Sequence, residues 1–433
     1  MKKTFYLLPV IMLMLSFVTA CTPDDNIPGT PDLPGETTSY EIKGDMQLPM
    51  NMFIGNIPEE YAAFKEPLAA MSTMRENALK QVLSTDDVQI GFRKITYLYP
   101  STSVSGEPLT LSAVAFWLGY FSNGVWNDLK PENICLMEHY TITSDAETPS
   151  NTFSLEMFIT GNTLTIMPDY LGYGITANHV HPYLVMDITS RNVVDMYRAV
   201  VPFMQAAGCA PEHDDIYLLG YSQGGAVTMA VQHYIEHHNE DNIKIRRVFA
   251  GGGPYDVKAT YDRFVETNHA NYPCAVPIMM QGMVVGNKLD LDMKDLMADY
   301  IYENLDEWVN SKRYTSGQIN GFLGTHVTSE LLKPKGMDRT SKEVSELYKA
   351  MTNNSILSYA WTPQAPVFLM HSIDDDVVPY DNAIKAKHKW KDSNVQYSFG
   401  HYGSHTATCL RFLYAVQKLL INEEAEENGH YDF

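Results

Sequence analysis

A chain of 433 residues, 45% of them apolar and only 19% charged, can bury a sizeable core and is long for one plain domain. Its 52 acidic against 31 basic side chains leave a formal charge of −21, a field that repels nucleic acid and anionic bilayers and argues against either as the main partner. The cysteines at 21, 135, 209, 274 and 409 are scattered without metal-ligand spacing and assign no disulfide. Cys135 lies in an apolar run and reads as a buried thiol.

Lys2 and Lys3, the apolar run Phe5–Val18 and the small residues Thr19 and Ala20 have the layout of a cleaved export signal, so residues 1–20 are read as a signal peptide. Val18-Thr19-Ala20-Cys21 resembles the lipobox of bacterial lipoproteins, which implies a diacylglycerol on the Cys21 sulfur. Two acyl chains are what stable membrane attachment needs. Thr22 stands where an aspartate would signal inner-membrane retention, and Asp24-Asp25 resemble surface-export signals. The implied address is the outer membrane of a bacterium, with the cell surface as an option. Residues 21–45, rich in Pro, Gly, Thr and Asp, cannot bury enough apolar surface to order themselves and read as a lipid-anchored disordered linker. No later stretch is long and apolar enough for a transmembrane helix, which leaves the anchor as the one membrane contact.

From Val88 the pattern is β. Gln89–Tyr99 and Leu109–Leu118, joined by a turn through Ser105-Gly106-Glu107-Pro108, predict an antiparallel hairpin. Short apolar runs then follow at Ile134–His139, Leu164–Met167, Ile216–Leu219, Ile245–Ala250, Val367–Met370 and Val395–Phe399. Helical spacing separates several of them, as in Ile188–Ala206 and Gly225–His237. Such alternation predicts an α/β fold, a mostly parallel sheet covered on both faces. From Pro254 to Trp361 the rhythm breaks into Met-rich segments with helical spacing, Ile278–Met283 and Leu289–Leu305 among them. A structureless loop of that length is implausible, so residues 255–361 are read as a helical cap inserted between core segments 46–254 and 362–433.

The chemistry is concentrated at three places. The strand Ile216–Leu219 runs into Gly220-Tyr221-Ser222-Gln223-Gly224 and on into the helix Gly225–His237, which is a G-x-S-x-G nucleophile elbow in its proper strand–helix setting. The turn exposes the Ser222 hydroxyl, glycines let strand and helix approach closely, and the helix N-terminus favours developing negative charge. The Gln223 N–H is the expected first oxyanion donor. A serine needs a base, and the base needs a carboxylate to hold its tautomer. The apolar run Val367–Met370 leads into an acidic turn, where Asp375 is the preferred acid and Asp374 and Asp376 are alternatives. Past the last strand, His405 precedes the helical stretch Ala407–Leu420 and is the preferred base, with His401 as runner-up. His233, His237 and His238 have i, i+4 spacing, but no glutamate completes a zinc-protease motif, and they read as decoration of a helix end rather than a metal site.

Pro168–Gly174, His181-Pro182-Tyr183-Leu184, Gly220–Gly224 and Gly251-Gly252-Gly253-Pro254-Tyr255-Asp256 together resemble the secretory lipase family and its bacterial lipoprotein esterase relatives. The stretch around Asp375 is similar to the H-G-x-x-D-x-x-V-P pattern, with Ser372 in place of the glycine. This resemblance implies an α/β-hydrolase core under a helical cap, and hydrolysis of a lipid, acylated sugar or small ester without metal or organic cofactor. It also implies a second oxyanion donor, either Tyr140, which replaces the glycine of the oxyanion turn, or Asp169. A serine peptidase of related fold and a non-catalytic surface-binding lipoprotein are the alternatives.

Overall fold

The structure is a computed structural model, and it describes residues 41–57, 65–153, 155–158, 162–213, 215–238 and 242–427. The signal segment 1–20, Cys21 and residues 22–40 of the expected linker lie outside the described residues. Ten strands form one sheet: β1 (Glu41–Pro49), β2 (Val88–Thr102), β3 (Pro108–Ser122), β4 (Val125–Asp128), β5 (Asn133–Glu138), β6 (Thr163–Pro168), β7 (Asp215–Tyr221), β8 (Lys244–Gly251), β9 (Val367–Ser372) and β10 (Val395–Gly400). The order across the sheet is β1-β2-β3-β6-β5-β7-β8-β9-β10, with β4 paired to β3. The β1/β2, β2/β3, β3/β4 and β3/β6 pairs are antiparallel, and every neighbour pair from β6 to β10 is parallel.

The parallel strands are continuous apolar runs because both faces of the sheet are covered. Along β5, Ile134 and Leu136 enter one core while Cys135 and Met137 enter the other; along β7, Ile216 and Leu218 oppose Tyr217, Leu219 and Tyr221 in the same way. The first core is shared with α3 (Met186–Ala206) and α4 (Gln223–His237), and the second with α1 (Met50–Asn56), α2 (Lys65–Leu83) and α13 (His405–Glu427). Between β8 and β9 the chain is helical. It contains α5 (Val257–Thr267), α6 (Ala275–Gly286), α7 (Asp299–Tyr302), α8 (Ser316–Leu323), α9 (Thr328–Leu331), α10 (Pro334–Met337) and α11 (Lys342–Asn353). Helix α12 (Asp381–Lys389) separates β9 from β10. The insertion sits over loops that follow the C-terminal ends of the strands: the Asp145 N–H donates to Lys312 O at 2.7 Å, and the Thr143 hydroxyl donates to Tyr314 O at 2.8 Å.

Two local expectations are corrected. Residues 41–45, read as the end of the linker, form the start of β1, where main-chain pairing to β2 and the Asp45 carboxylate on the Arg93 guanidinium hold a strand of little apolar content. Leu289–Leu305 is not one helix. Asp292 caps a 3₁₀ turn through the Lys294 N–H, and Met297 pairs with Leu332 as an isolated bridge before α7 begins. Asp292 competes for backbone N–H groups better than it supports a helix interior.

Leu136 is fully buried at the centre of the sheet. Leu136→Ala is expected to lower unfolding stability by about 2–5 kcal/mol through the lost burial and the cavity left behind, measured by urea denaturation.

Candidate active site

Ser222 sits between β7 and α4 with φ 58° and ψ −123°, a conformation that costs a non-glycine residue energy and persists only where the surroundings impose it. Its N–H donates to Gly251 O at 2.9 Å, and its carbonyl accepts from the Ala226 N–H at 3.2 Å. The flanking glycines are required by contact. A Cβ on Gly220 would lie 2.6 Å from Thr228 Oγ1 and press on the Gly224 carbonyl, and one on Gly224 would meet the Glu138 carbonyl group at the end of β5. Strand β5 thus abuts the first turn of α4, and the residues after Glu138 stand beside the serine.

His405 opens α13. Its N–H donates to Asp376 Oδ1 at 2.9 Å, its Nε2 lies 2.8 Å from Ser222 Oγ, and its Nδ1 lies 2.7 Å from Asp375 Oδ2. The Tyr221 hydroxyl donates to the His405 carbonyl at 2.7 Å and so ties the elbow to the histidine loop. The Asp375 side chain is fully buried, and its Oδ1 accepts the N–H groups of Val377 and Val378 at 3.0 and 2.8 Å. Burial would push this carboxyl up, but His405, His371 and the Val378 N–H hold it below the usual carboxylate range. Asp375 is therefore an anion at neutral pH, suited to fix a proton on His405 Nδ1 and leave Nε2 facing the serine. Of the runners-up, Asp376 takes the backbone N–H of His405 rather than its ring, and His401 Nδ1 pairs with Asp374 Oδ1 at 2.8 Å on the exposed side.

Ser372, the departure from the glycine pattern, has a role that its residue type did not advertise. Its hydroxyl donates to Gly403 O at 2.8 Å and accepts the N–H groups of Asp374 and Tyr402 at 3.1 and 3.2 Å. One side chain knots the acid turn to the histidine loop.

The two oxyanion candidates differ. The Asp169 N–H donates to Ser112 O at 3.0 Å, and its buried carboxylate accepts from the Ser112 and Ser150 hydroxyls at 2.5 and 2.6 Å and from the Ser150 N–H at 2.9 Å. The buried Lys94 ammonium lies under the same loop, donating to Pro149 O and Thr152 O at 2.7 and 2.8 Å. The Asp169 carboxylate thus ties β3 to the 145–153 loop, and its N–H is engaged by β3. Tyr140 lies two residues past the end of β5, next to the Glu138 and His139 carbonyls that abut the elbow helix.

His233, His237 and His238 line a surface pocket with Met186, Asp187, Tyr234 and Tyr359, and burial brings the His233 ring down to about 4. Among the described residues no three His, Cys, Asp or Glu side chains are grouped to hold a metal ion. Cys135, Cys209, Cys274 and Cys409 are free thiols, and burial raises that of Cys135 far above its ordinary value.

With this geometry in place, the sequence pattern of the secretory lipase family matches residues 140–412. The chain belongs to the secretory lipase family. It is a carboxylic ester hydrolase. No curated protein matches it in sequence. Among solved structures, this family member is similar to a Legionella pneumophila protein described as a candidate hydrolase, at 18% identity and TM-score 0.70 over 90% of this chain and 98% of that one. The cell wall degrading esterase LipA of Xanthomonas oryzae aligns at 19% identity and TM-score 0.64 over 80% of this chain and 93% of that one. Candida antarctica lipase A aligns at 17% identity and TM-score 0.54, over 86% and 78% respectively. These likenesses establish the α/β-hydrolase fold, a mostly parallel sheet flanked by helices.

Glu138, fully buried at the end of β5, accepts from the Tyr170 hydroxyl at 3.1 Å, while its Oε1 has no hydrogen-bond partner among the described residues. Burial raises its pKa from 4.5 to about 8, against the lowering effect of Tyr170. A raised folded-state value means that stability present at acidic pH is lost as pH climbs from about 4.5 to about 8. Glu138→Gln is expected to raise the melting temperature at pH 8.5 and to change it little at pH 4.5, read by thermal denaturation at both values.

Proposed function

We propose that this esterase works through an acyl-enzyme formed on Ser222, with His405 as general base and acid and Asp375 as the residue that orients it. The observation carrying the reading is the unbroken relay from Ser222 Oγ to His405 Nε2 and from His405 Nδ1 to Asp375 Oδ2, at 2.8 and 2.7 Å. Ser222 Oγ attacks the ester carbonyl carbon as its proton passes to His405 Nε2. The imidazolium that forms is balanced by the buried Asp375 carboxylate. The carbonyl oxygen, now an anion, is met by the backbone N–H of Gln223 at the start of α4 and by that of Tyr140, the loop donor that remains once Asp169 is tied to β3. Collapse of the tetrahedral adduct expels the alcohol, which takes the proton from His405 Nε2. Water then gives a proton to the same nitrogen as it attacks the acyl carbon, and a second collapse releases the carboxylic acid and restores the Ser222 hydroxyl. The helical insertion 255–361 is proposed as the cap that bounds the ester-binding cleft.

We also propose export and anchoring through a diacylated Cys21. Membership in the secretory lipase family and the residues Lys2 to Cys21 support this reading. Among the described residues no helix is long and apolar enough to cross a membrane.

Ser222→Ala should lower turnover of short-chain p-nitrophenyl esters by about 10⁶-fold while leaving the melting temperature in place; retained turnover would remove the serine from the mechanism. Cys21→Ser should move the protein from the membrane fraction to the soluble fraction of cells producing it, without loss of esterase activity.

A further inference from the structure

The segment His181-Pro182-Tyr183, part of the family pattern, lies in the irregular stretch between β6 and α3 and has no place in the relay above. Its histidine and tyrosine side chains are both buried. His181 Nδ1 lies 2.7 Å from Leu171 O, and a carbonyl only accepts, so Nδ1 carries the proton of the neutral ring. The lone pair is then at Nε2, 2.9 Å from Gln223 Nε2, which must be the donor. Burial brings the His181 ring down to about 3, so it stays neutral and remains an acceptor across the working range of an esterase. On the other side, the Tyr183 hydroxyl lies 2.7 Å from Thr141 Oγ1, on the turn that carries Tyr140.

The backbone of the segment is clamped from two directions. A Cβ on Gly172, which has φ 94°, would lie 2.6 Å from the His181 N and Cα. A Cβ on Gly282, in helix α6 of the insertion, would lie 2.6 and 2.7 Å from the Tyr183 N and O. Only hydrogen atoms fit at either position, so the segment is held between the β6 loop and the insertion with little room to shift.

We propose that His181 and Tyr183 are positioning residues for the oxyanion hole, holding Gln223 and the Tyr140–Thr141 turn at one spacing, with the segment itself seated by Gly282 of the insertion. The inference rests on the acyl-enzyme reading above. It makes the distance between the two oxyanion donors a property of one three-residue strap rather than of two separate loops. Both side chains are buried and act through Gln223 and the Tyr140–Thr141 turn, so their loss changes the transition state and leaves ground-state binding alone.

The test is a kinetic double-mutant cycle on the full chain. His181→Leu, which keeps volume but removes the acceptor, is expected to lower kcat about tenfold with KM within about twofold, less than the 10²–10³ expected for outright loss of an oxyanion donor. His181→Gln, which can place a carbonyl oxygen where Nε2 stood, is expected to restore most of the loss. Combining His181→Leu with Gln223→Met should be no slower than the slower single variant, because both remove the same contact. Tyr183→Phe and Thr141→Val should behave as a second such pair, and they keep the test decisive if His181→Leu does not fold. Affinity for an alkyl trifluoromethyl ketone, whose adduct places an oxyanion in the hole, should fall in step with kcat. Additive losses, a rise in KM at constant kcat, or wild-type kcat in both His181→Leu and Tyr183→Phe would overturn the proposal. Any of these, with hydrolysis still dependent on Ser222, leaves the acyl-enzyme reading standing; survival of activity in Ser222→Ala would remove both.

Discussion

The positive φ of Ser222 is the constraint on which the rest of the site depends. A serine held at φ 58° between a strand and a helix keeps that conformation only because three surfaces press against the turn. Strand β5 presents its terminal carbonyls to Gly224, α4 folds back onto Gly220, and the end of β8 closes on Gly225. Each contact is between backbone atoms and leaves no room for a side chain. The buried, two-faced sheet supplies the force, since β5, β7 and β8 contribute alternate residues to two cores and cannot move relative to one another without opening both.

From that fixed point the other groups arrive on independent elements. Asp375 comes from the turn after β9, His405 from the first residue of α13, and Tyr140 from the turn after β5. The acid is fully desolvated yet remains an anion because two backbone N–H groups and an imidazole converge on it. A buried carboxylate without such partners behaves like Glu138, whose carbonyl abuts Gly224 of the elbow and which burial keeps protonated to about pH 8. Two carboxyl groups in one protein thus take opposite states for reasons visible in their hydrogen bonds.

Much of this was legible in the sequence, and the boundary has physical causes. The parallel strands announced themselves because burial on both faces leaves no polar alternation. Ser222, Asp375 and His405 stand in one linear order at the ends of such strands, where the fold brings side chains together. Asp169 was less legible because a loop aspartate has the same letter whether it meets a substrate or ties its own turn, and its partners, Ser112 and Ser150, lie far away in sequence or on another element. Ser372 was read as a lost glycine because its three hydrogen bonds go to backbone groups, which have no signature in side-chain identity. Strand β1 escaped for a related reason: an edge strand held by main-chain pairing needs few apolar residues. The strap at His181 was visible as a motif, but its partner Gln223 is recognisable only once the tautomer is known.

The knot at Ser372 divides the proposed catalytic groups into two bodies. Acid turn and histidine loop share one hydroxyl, so Asp375 and His405 drift together, and the relay's inner joint is shielded from thermal displacement. The serine rides on β7 and α4, outside that knot. The joint between the two bodies lies between His405 and Ser222, and Tyr221 clasps it, its ring against His405 and its hydroxyl donating to the histidine's own carbonyl. Activity and global unfolding need not share a temperature in such an arrangement: the enzyme can fall silent along this seam while both cores are still closed.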